Sequence, residues 1–211
     1  MNTAALEALA KLREGNRRFV AGEAGVDGLA HFTRRAELVA GQEPFAIVLG
    51  CSDSRVPAEF IFDQGLGDLF VIRVAGNVVF PSQVGSVEFA AERFHTRLVI
   101  VLGHSQCGAV AAAIEQARHP ADGTSQMLRS IIERIRPAVM PLLQTEVAND
   151  PEALYREAVR ANVRLAADQL RHGSEVLERL IAEDGLIVVG AEYSLETGIV
   201  HMFDAPPAPE R

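Results

Sequence analysis

The sequence predicts an α/β fold: a mostly parallel central β-sheet flanked by helices, with a helical arm at the N-terminus. Three observations carry this expectation. Residues 45–50, 69–74, 98–103 and 186–190 are short apolar runs rich in Val, Ile and Leu, with the length and composition of buried strands. Apolar residues between them recur at three- and four-residue intervals, and strands that alternate with helices run parallel. Polar clusters follow the first and third runs directly, at the strand ends where open α/β sheets place their sites.

Taken in order, the first element is a helix over 3–20, with Leu6, Leu9, Leu12 and Phe19 on one stripe, Thr3 as N-cap and Gly22 as its stop. The stripe suits either packing on its own core or docking on a partner subunit. A short helix over 33–40 leads through Gly41, Gln42, Glu43 and Pro44 into the first strand. Pro57 suits the first turn of a helix reaching about residue 63. Gly65 and Gly67 then make a turn; they precede a strand and lack a third glycine, so they are not a dinucleotide fingerprint.

The pattern places a helix over 84–94, the strand ending at Gly103, and a helix over 107–117. A turn over 119–123 follows. Leu128, Ile131, Ile132, Ile135 and Val139 mark a helix strained or ended by Pro137 and Pro141. Leu154, Ala158, Ala161 and Leu165 mark a long helix over 151–172, and Val176, Leu177, Leu180 and Ile181 another stopped by Gly185. Residues 197–203 suit an edge hairpin on the last strand. One domain over 1–211 is expected, comprising an arm over about 1–40, an α/β core over about 44–204 and a proline-rich tail over 205–211.

A chain of 211 residues, 48% apolar and 23% charged, has the composition of an ordinary globular domain. Its net charge of -8 argues against nucleic acid or an anionic membrane as partner. No apolar run approaches the ~20 residues of a membrane span, and residues 1–7 lack a secretory pattern. The only two cysteines both lie in the polar clusters, where a disulfide is their competing use. A cytoplasmic protein with reduced thiols is the expectation.

The clusters are Cys51-Ser52-Asp53-Ser54-Arg55 and His104-Ser105-Gln106-Cys107-Gly108. Two thiolates and an imidazole suit Zn2+ with one coordination position open, the arrangement of a catalytic rather than a structural zinc. Cys107 near a helix N-terminus has its thiolate favoured by the helix dipole. Asp53 can accept a hydrogen bond from metal-bound water or occupy the open position itself, and Arg55 can grip it bidentately. Two thiolates put more charge on zinc than imidazoles do, so activity should rise on the alkaline side. A rival reading makes a cysteine the nucleophile and His104 its base, although no signature of acyl transfer accompanies it.

The joint motif, Cys-Ser-Asp-Ser-Arg and then Gly-His-Ser-Gln-Cys-Gly some fifty residues on, resembles the β-class carbonic anhydrases over about residues 42–113. The resemblance implies reversible hydration of CO2 to bicarbonate and a proton by zinc-bound hydroxide, with one zinc per subunit. Cys51, His104 and Cys107 would be the ligands and Asp53 with Arg55 the catalytic dyad, Asp53 also serving as a fourth ligand in a closed state. Gln42, Phe70, Ala75, Phe89 and Gly108 would bind substrate. A homodimer or dimer of dimers is implied, with the sites at the subunit interface and N-terminal helices embracing the partner.

Two departures stand out. Arg73 and Tyr193 match two residues of the family's bicarbonate-responsive pocket, but the chain has no Trp. Arg73-Val74-Ala75-Gly76-Asn77 stands where many members carry Arg-Asn-Val-Ala-Asn. Alternatives are a carbonyl sulfide or carbon disulfide hydrolase of the same fold, and a non-catalytic zinc scaffold. His31, His95, His119, His172 and His201 are read as surface or structural residues rather than proton shuttles.

Overall fold

In the computed structural model, residues 3–25, 32–120, 125–203 and 205 are described. His31, residues 121–123 of the expected turn and all of the proline-rich tail except Ala205 lie outside them. Among the described residues, strands Ala46–Gly50 (β1), Leu69–Arg73 (β2), Leu98–His104 (β3), Ile187–Tyr193 (β4) and Val200–Phe203 (β5) form one sheet in the order β2-β1-β3-β4-β5. The first four are parallel, and β5 runs antiparallel to β4 as an edge hairpin.

Strand alternation sorts the apolar residues into two cores. Ile47, Leu49, Val99 and Val101 face one side, with Val87, Ala90 and Ala91 of helix Pro81–Arg93 (called α4 below), Val163 and Leu170 of helix Pro151–His172 (α7), and Leu177 of helix Glu175–Glu183 (α8). Ala46, Val48, Leu98, Ile100 and Leu102 face the other, against Leu9 and Leu12 of helix Thr3–Val20 (α1) and Ile61 of the single helical turn Ala58–Ile61 (α3). A short helix, Phe32–Glu37 (α2), is continued by a 3-10 turn over Leu38–Ala40 just before β1. A third apolar cluster closes off the carboxyl ends of the strands. It is formed by helix Gly108–Arg118 (α5), helix Gln126–Val139 (α6) and part of α7, through Val110, Ile132, Ile135, Ala158 and Val159. Among the described residues, no helix is long and apolar enough to cross a membrane.

Helix α1 packs on its own sheet. Its approach is so close that a Cβ at Gly15 would stand 1.8 Å from the Phe62 carbonyl oxygen, so only glycine fits. Beside it, buried Asn16 donates to the carbonyls of Ile61 (3.1 Å) and Gly198 (2.9 Å) and accepts from the Val200 amide (2.9 Å). Three backbone groups of the core are thus satisfied by one helical side chain, as buried polar groups require.

Several details correct the sequence reading. Thr3 is already helical and therefore not the cap of α1. Helix α4 begins at Pro81, three residues before Val84, because proline suits the first helical position. Helix α6 continues through Pro137 to Val139; the lost hydrogen bond is tolerated where Ile135, Ala138 and Val139 are buried. In α7 the buried face is Leu154, Ala158, Val159, Asn162, Val163, Ala166, Ala167 and Leu170, whereas Ala161 and Leu165 are half-buried. The apolar stripe is rotated toward Asn162, a polar residue that pattern reading passes over. Strand β3 includes His104, and β4 extends three residues past Gly190.

Candidate active site

With β1 between β2 and β3, the chain leaves β1 in one direction to reach β2 and then crosses back over it to reach β3. Between β1 and β3 the sense of winding reverses, and such switch points open a crevice beyond the carboxyl ends of the strands. Cys51 immediately follows β1, His104 is the last residue of β3, and Cys107 caps α5. Topology brings together what lies fifty residues apart in sequence. One ligand atom from each of the three lies within 4.8 Å of the others, and all three residues are buried.

The state of His104 follows from its neighbours. Nδ1 lies 2.8 Å from the Ser105 carbonyl oxygen, which can only accept, so Nδ1 carries the hydrogen. Nε2 keeps its lone pair, and it is buried without a hydrogen-bond partner. An orphaned buried acceptor beside two thiols is costly in an apolar setting and fits a cation. The two thiols shift in opposite directions: the neighbouring Cys107 thiol lowers the Cys51 pKa, while Cys51 and burial raise that of Cys107. Both cysteines are free, so the competing disulfide is not formed.

Asp53 stands beside this set, its Oδ2 4.0 Å from His104 Nε2. Arg55 donates to Asp53 Oδ1 from its amide (3.0 Å) and Nε (2.9 Å), and to Oδ2 from Nη2 (2.8 Å). Those side-chain bonds hold the carboxyl well below the usual carboxylate range, so Asp53 is an acceptor at any physiological pH. Arg55 Nη2 also reaches the Gln106 carbonyl (3.3 Å), linking the two clusters.

Backbone near the ligands is fixed by residues that motif reading did not single out for this role. Arg73 donates to the carbonyls of Cys51 (2.9 Å) and Asp53. The Gly76 amide points at Cys51 Sγ (3.3 Å), while its carbonyl accepts from buried Asn162 of α7 (2.8 Å). Gly76 has φ 69°, and a Cβ there would meet Ile135 Cδ1 at 2.8 Å. The glycine in Arg73-Val74-Ala75-Gly76-Asn77 therefore relieves a left-handed backbone, and a larger residue there would also have to displace the tip of Ile135. Tyr155 of α7 donates its hydroxyl to the Cys107 carbonyl (2.7 Å), and burial pushes its pKa up. A polar residue on the apolar face of α7 was the one available signal for Asn162; Tyr155 offered none. Tyr193 is buried against Phe19, with ring centroids 6.4 Å apart.

The expected substrate residues divide. Ala75 neighbours Gly76 in the turn beside Cys51, and Gly108 is exposed as the first residue of α5, next to Cys107. Gln42 lies before the amino end of β1, in a surface groove with Arg35, Leu38 and Leu66. Five strand residues, roughly 16 Å at about 3.3 Å each, separate it from Cys51 in the same chain. Phe70 pairs in register with Ile47, well before the carboxyl end of β1. It stacks with Phe89 (6.2 Å) and Phe94 (6.0 Å), and Phe89 is 54% exposed. Within one chain, then, Gln42, Phe70 and Phe89 do not line the crevice at Cys51. The family resemblance grouped them with Cys51 at a subunit interface; within one chain the strand direction keeps them apart. The remaining described histidines, His95, His119, His172 and His201, are exposed.

Fold and site together define an α/β protein with a candidate metal centre at the switch point of a parallel sheet. A sequence model of the carbonic anhydrase family matches residues 46–200. Carbonic anhydrase 2 of Mycobacterium tuberculosis is 40% identical over 199 residues, 93% of this chain and 92% of the relative. The carbonic anhydrase of Mycolicibacterium smegmatis is 38% identical, covering 90% of this chain and 89% of its own. Among solved structures, the β-carbonic anhydrase CafA of Aspergillus fumigatus superposes with a TM-score of 0.70 at 26% identity, covering 95% of this chain and 91% of that one. The chain belongs to the carbonic anhydrases, in their β class. This kinship does not favour the sulfide-hydrolase or scaffold alternatives.

Proposed function

We propose that the chain catalyses reversible hydration of CO2 to bicarbonate and a proton, with one Zn2+ per subunit held by Cys51, His104 and Cys107. The observation that carries this reading is the buried, unpartnered His104 Nε2 grouped with two thiols beside an arginine-held carboxylate. When bound, zinc supplies Lewis-acid activation of water near neutral pH. Asp53 would accept a hydrogen bond from such a water at its carboxylate, and Arg55 keeps the carboxylate ionised and oriented. The Gly108 amide, in the first turn of α5, is free of an intrahelical partner and can meet a substrate oxygen. Cys51 and Cys107 must stay reduced to serve, which suits a cytoplasmic setting.

The whole chain would act as one catalytic domain within a homodimer or dimer of dimers. Support comes from the separation of Gln42, Phe70 and Phe89 from Cys51 in one chain: a second copy can bring these residues to the crevice. Mixed dimers test this. Gln42→Ala and Cys51→Ser subunits, each impaired alone, should regain part of the activity when combined, because one hybrid site keeps both residues. No recovery in verified mixed dimers would mean that Gln42 does not act across the interface.

The function itself is tested by stopped-flow CO2 hydration at about pH 8.5 on protein of measured zinc content. Fast hydration that is lost on zinc removal supports the reading. Stoichiometric zinc without hydration at any pH overturns it.

A further inference from the structure

The segment between the two C-terminal ligands, Ser105-Gln106, carries an unusual backbone. Gln106 has φ 56°, in the left-handed region that side chains other than glycine seldom adopt. Such conformations persist only where surrounding contacts over-determine them. Here those contacts converge on one distant side chain. Glu196, in the turn between β4 and β5, accepts from Ser105 Oγ at Oε2 (2.7 Å) and from Gln106 Nε2 at Oε1 (2.6 Å). Ser194 Oγ adds a third donor to Oε2 (3.0 Å), and Ser105 Oγ in turn accepts from the Leu195 amide (2.9 Å).

The turn does not need the Glu196 carboxylate for its own closure. The Gly198 amide bonds the Ser194 carbonyl (2.9 Å), the Thr197 amide bonds Ser194 Oγ (3.1 Å), and the Ile199 amide bonds Thr197 Oγ1 (3.3 Å). The carboxylate is directed instead at the ligand segment. Its hold continues inward, since the Gln106 carbonyl accepts from Arg55, which grips Asp53. One side chain at the sheet edge therefore braces both the spacing of His104 and Cys107 and the seat of the Asp53–Arg55 pair. Three hydroxyl and amide donors, Ser105 first, keep Glu196 ionised, with its pKa lowered to about 2.

We propose that Glu196 is a positioning residue for the metal centre, acting through the side chains of Ser105 and Gln106 to hold the ligand segment in its left-handed conformation. This rests on the reading of the site as a zinc centre. The test is the rate at which zinc-loaded protein loses metal to excess chelator at neutral pH, read beside thermal stability and CO2 hydration. Partners behind metal ligands typically change affinity or activity by 10–100-fold, so Glu196→Ala should release zinc about tenfold faster. Gln106→Gly, which removes both the strain and the contact, marks the path. If Glu196 acts through Gln106, the double variant should lose less than the product of the two single effects. Thr197→Ala disturbs the same turn without touching Glu196 and should release zinc at the wild-type rate.

Wild-type release from folded Glu196→Ala overturns the proposal, as do fully multiplicative effects in the double variant or equal acceleration by Thr197→Ala. Should Glu196→Ala not fold, Ser105→Ala removes one arm of the clamp; it should accelerate release, and an unchanged rate overturns the proposal. A wild-type protein that takes up no zinc sinks the zinc reading and this inference together. One that holds zinc while the variants release it unchanged sinks this inference alone.

Discussion

The two segments that carry the proposed ligands leave adjacent parallel strands, yet they are braced by different means. In residues 51–55 the carboxylate is held locally: Asp53 receives its side-chain partner from two positions away, and the Val56 amide closes the turn onto the Asp53 carbonyl (3.1 Å). Arg73 of the neighbouring strand supplies the remote donors, to the Cys51 and Asp53 carbonyls. Residues 104–107 are braced by Tyr155, 48 positions from Cys107, and by Glu196, 90 from Gln106. A short-range carboxylate–guanidinium pair needs little from the rest of the fold. The second segment keeps a left-handed residue between its ligands only while α7 and the β4–β5 turn are docked. Chemistry at one site is therefore held partly by local geometry and partly by tertiary structure, and the two parts should fail differently.

The largest effect should come from Cys107→Ser, which deletes a ligand of the remotely braced segment. Zinc content and CO2 hydration should both be lost, as read by metal analysis and stopped flow. A variant that keeps full zinc would mean the two segments do not share the metal. Asp53→Asn breaks the locally braced segment instead. It should keep its zinc while hydration falls by about 10–100-fold, the range for losing a partner that orients the groups around a metal. Loss of zinc in that variant would show that the local pair also supports the ligand set.

A pH consequence attaches to the same pair. Because Arg55 lowers the folded-state pKa of Asp53, its contribution to stability is full above the ordinary carboxylate range, near pH 4, and declines as pH falls further. Melting temperature should therefore drop less on acidification in Asp53→Asn than in the parent chain; an equal drop would mean the pair contributes nothing to stability. The smallest effect is expected from Tyr155→Phe, which removes a single brace and leaves the Cys107 carbonyl one donor short. About 1 kcal/mol of stability should be lost, measured by denaturant unfolding, with zinc released a few-fold faster. Unchanged stability and release would transfer the whole remote brace to Glu196.

Much of this was legible in the chain itself. Apolar runs of strand length, alternating with helical periods, place the four parallel strands within a few residues, and Pro151 with His172 bounds α7 as the sequence reads. Cys51, His104 and Cys107 could be grouped because two of them sit three apart and the third follows another strand of the same kind. Asp53 and Arg55 could be paired because their spacing alone allows it. Asn16, Asn162, Tyr155 and Glu196 were not legible in the same way. Each satisfies a backbone or side-chain group dozens of positions distant, and apart from the polar Asn162 on the apolar face of α7 such partners leave no mark on local periodicity. Gln42, Phe70 and Phe89 came from the family resemblance rather than from spacing, and strand direction keeps them away from Cys51 within one copy.

By itself, then, the sequence determined the layered α/β class, the donor set and the carboxylate–arginine pair, since all of these follow from residue type and short-range spacing. Only the tertiary structure decided the reversal between β1 and β3 that joins the donors, the face of α7 that reaches them, the glycine at 76 and the carboxylate that braces Gln106. Those depend on strand order and on which helix covers which edge, and long-range packing settles both once backbone polar groups must find partners in the interior.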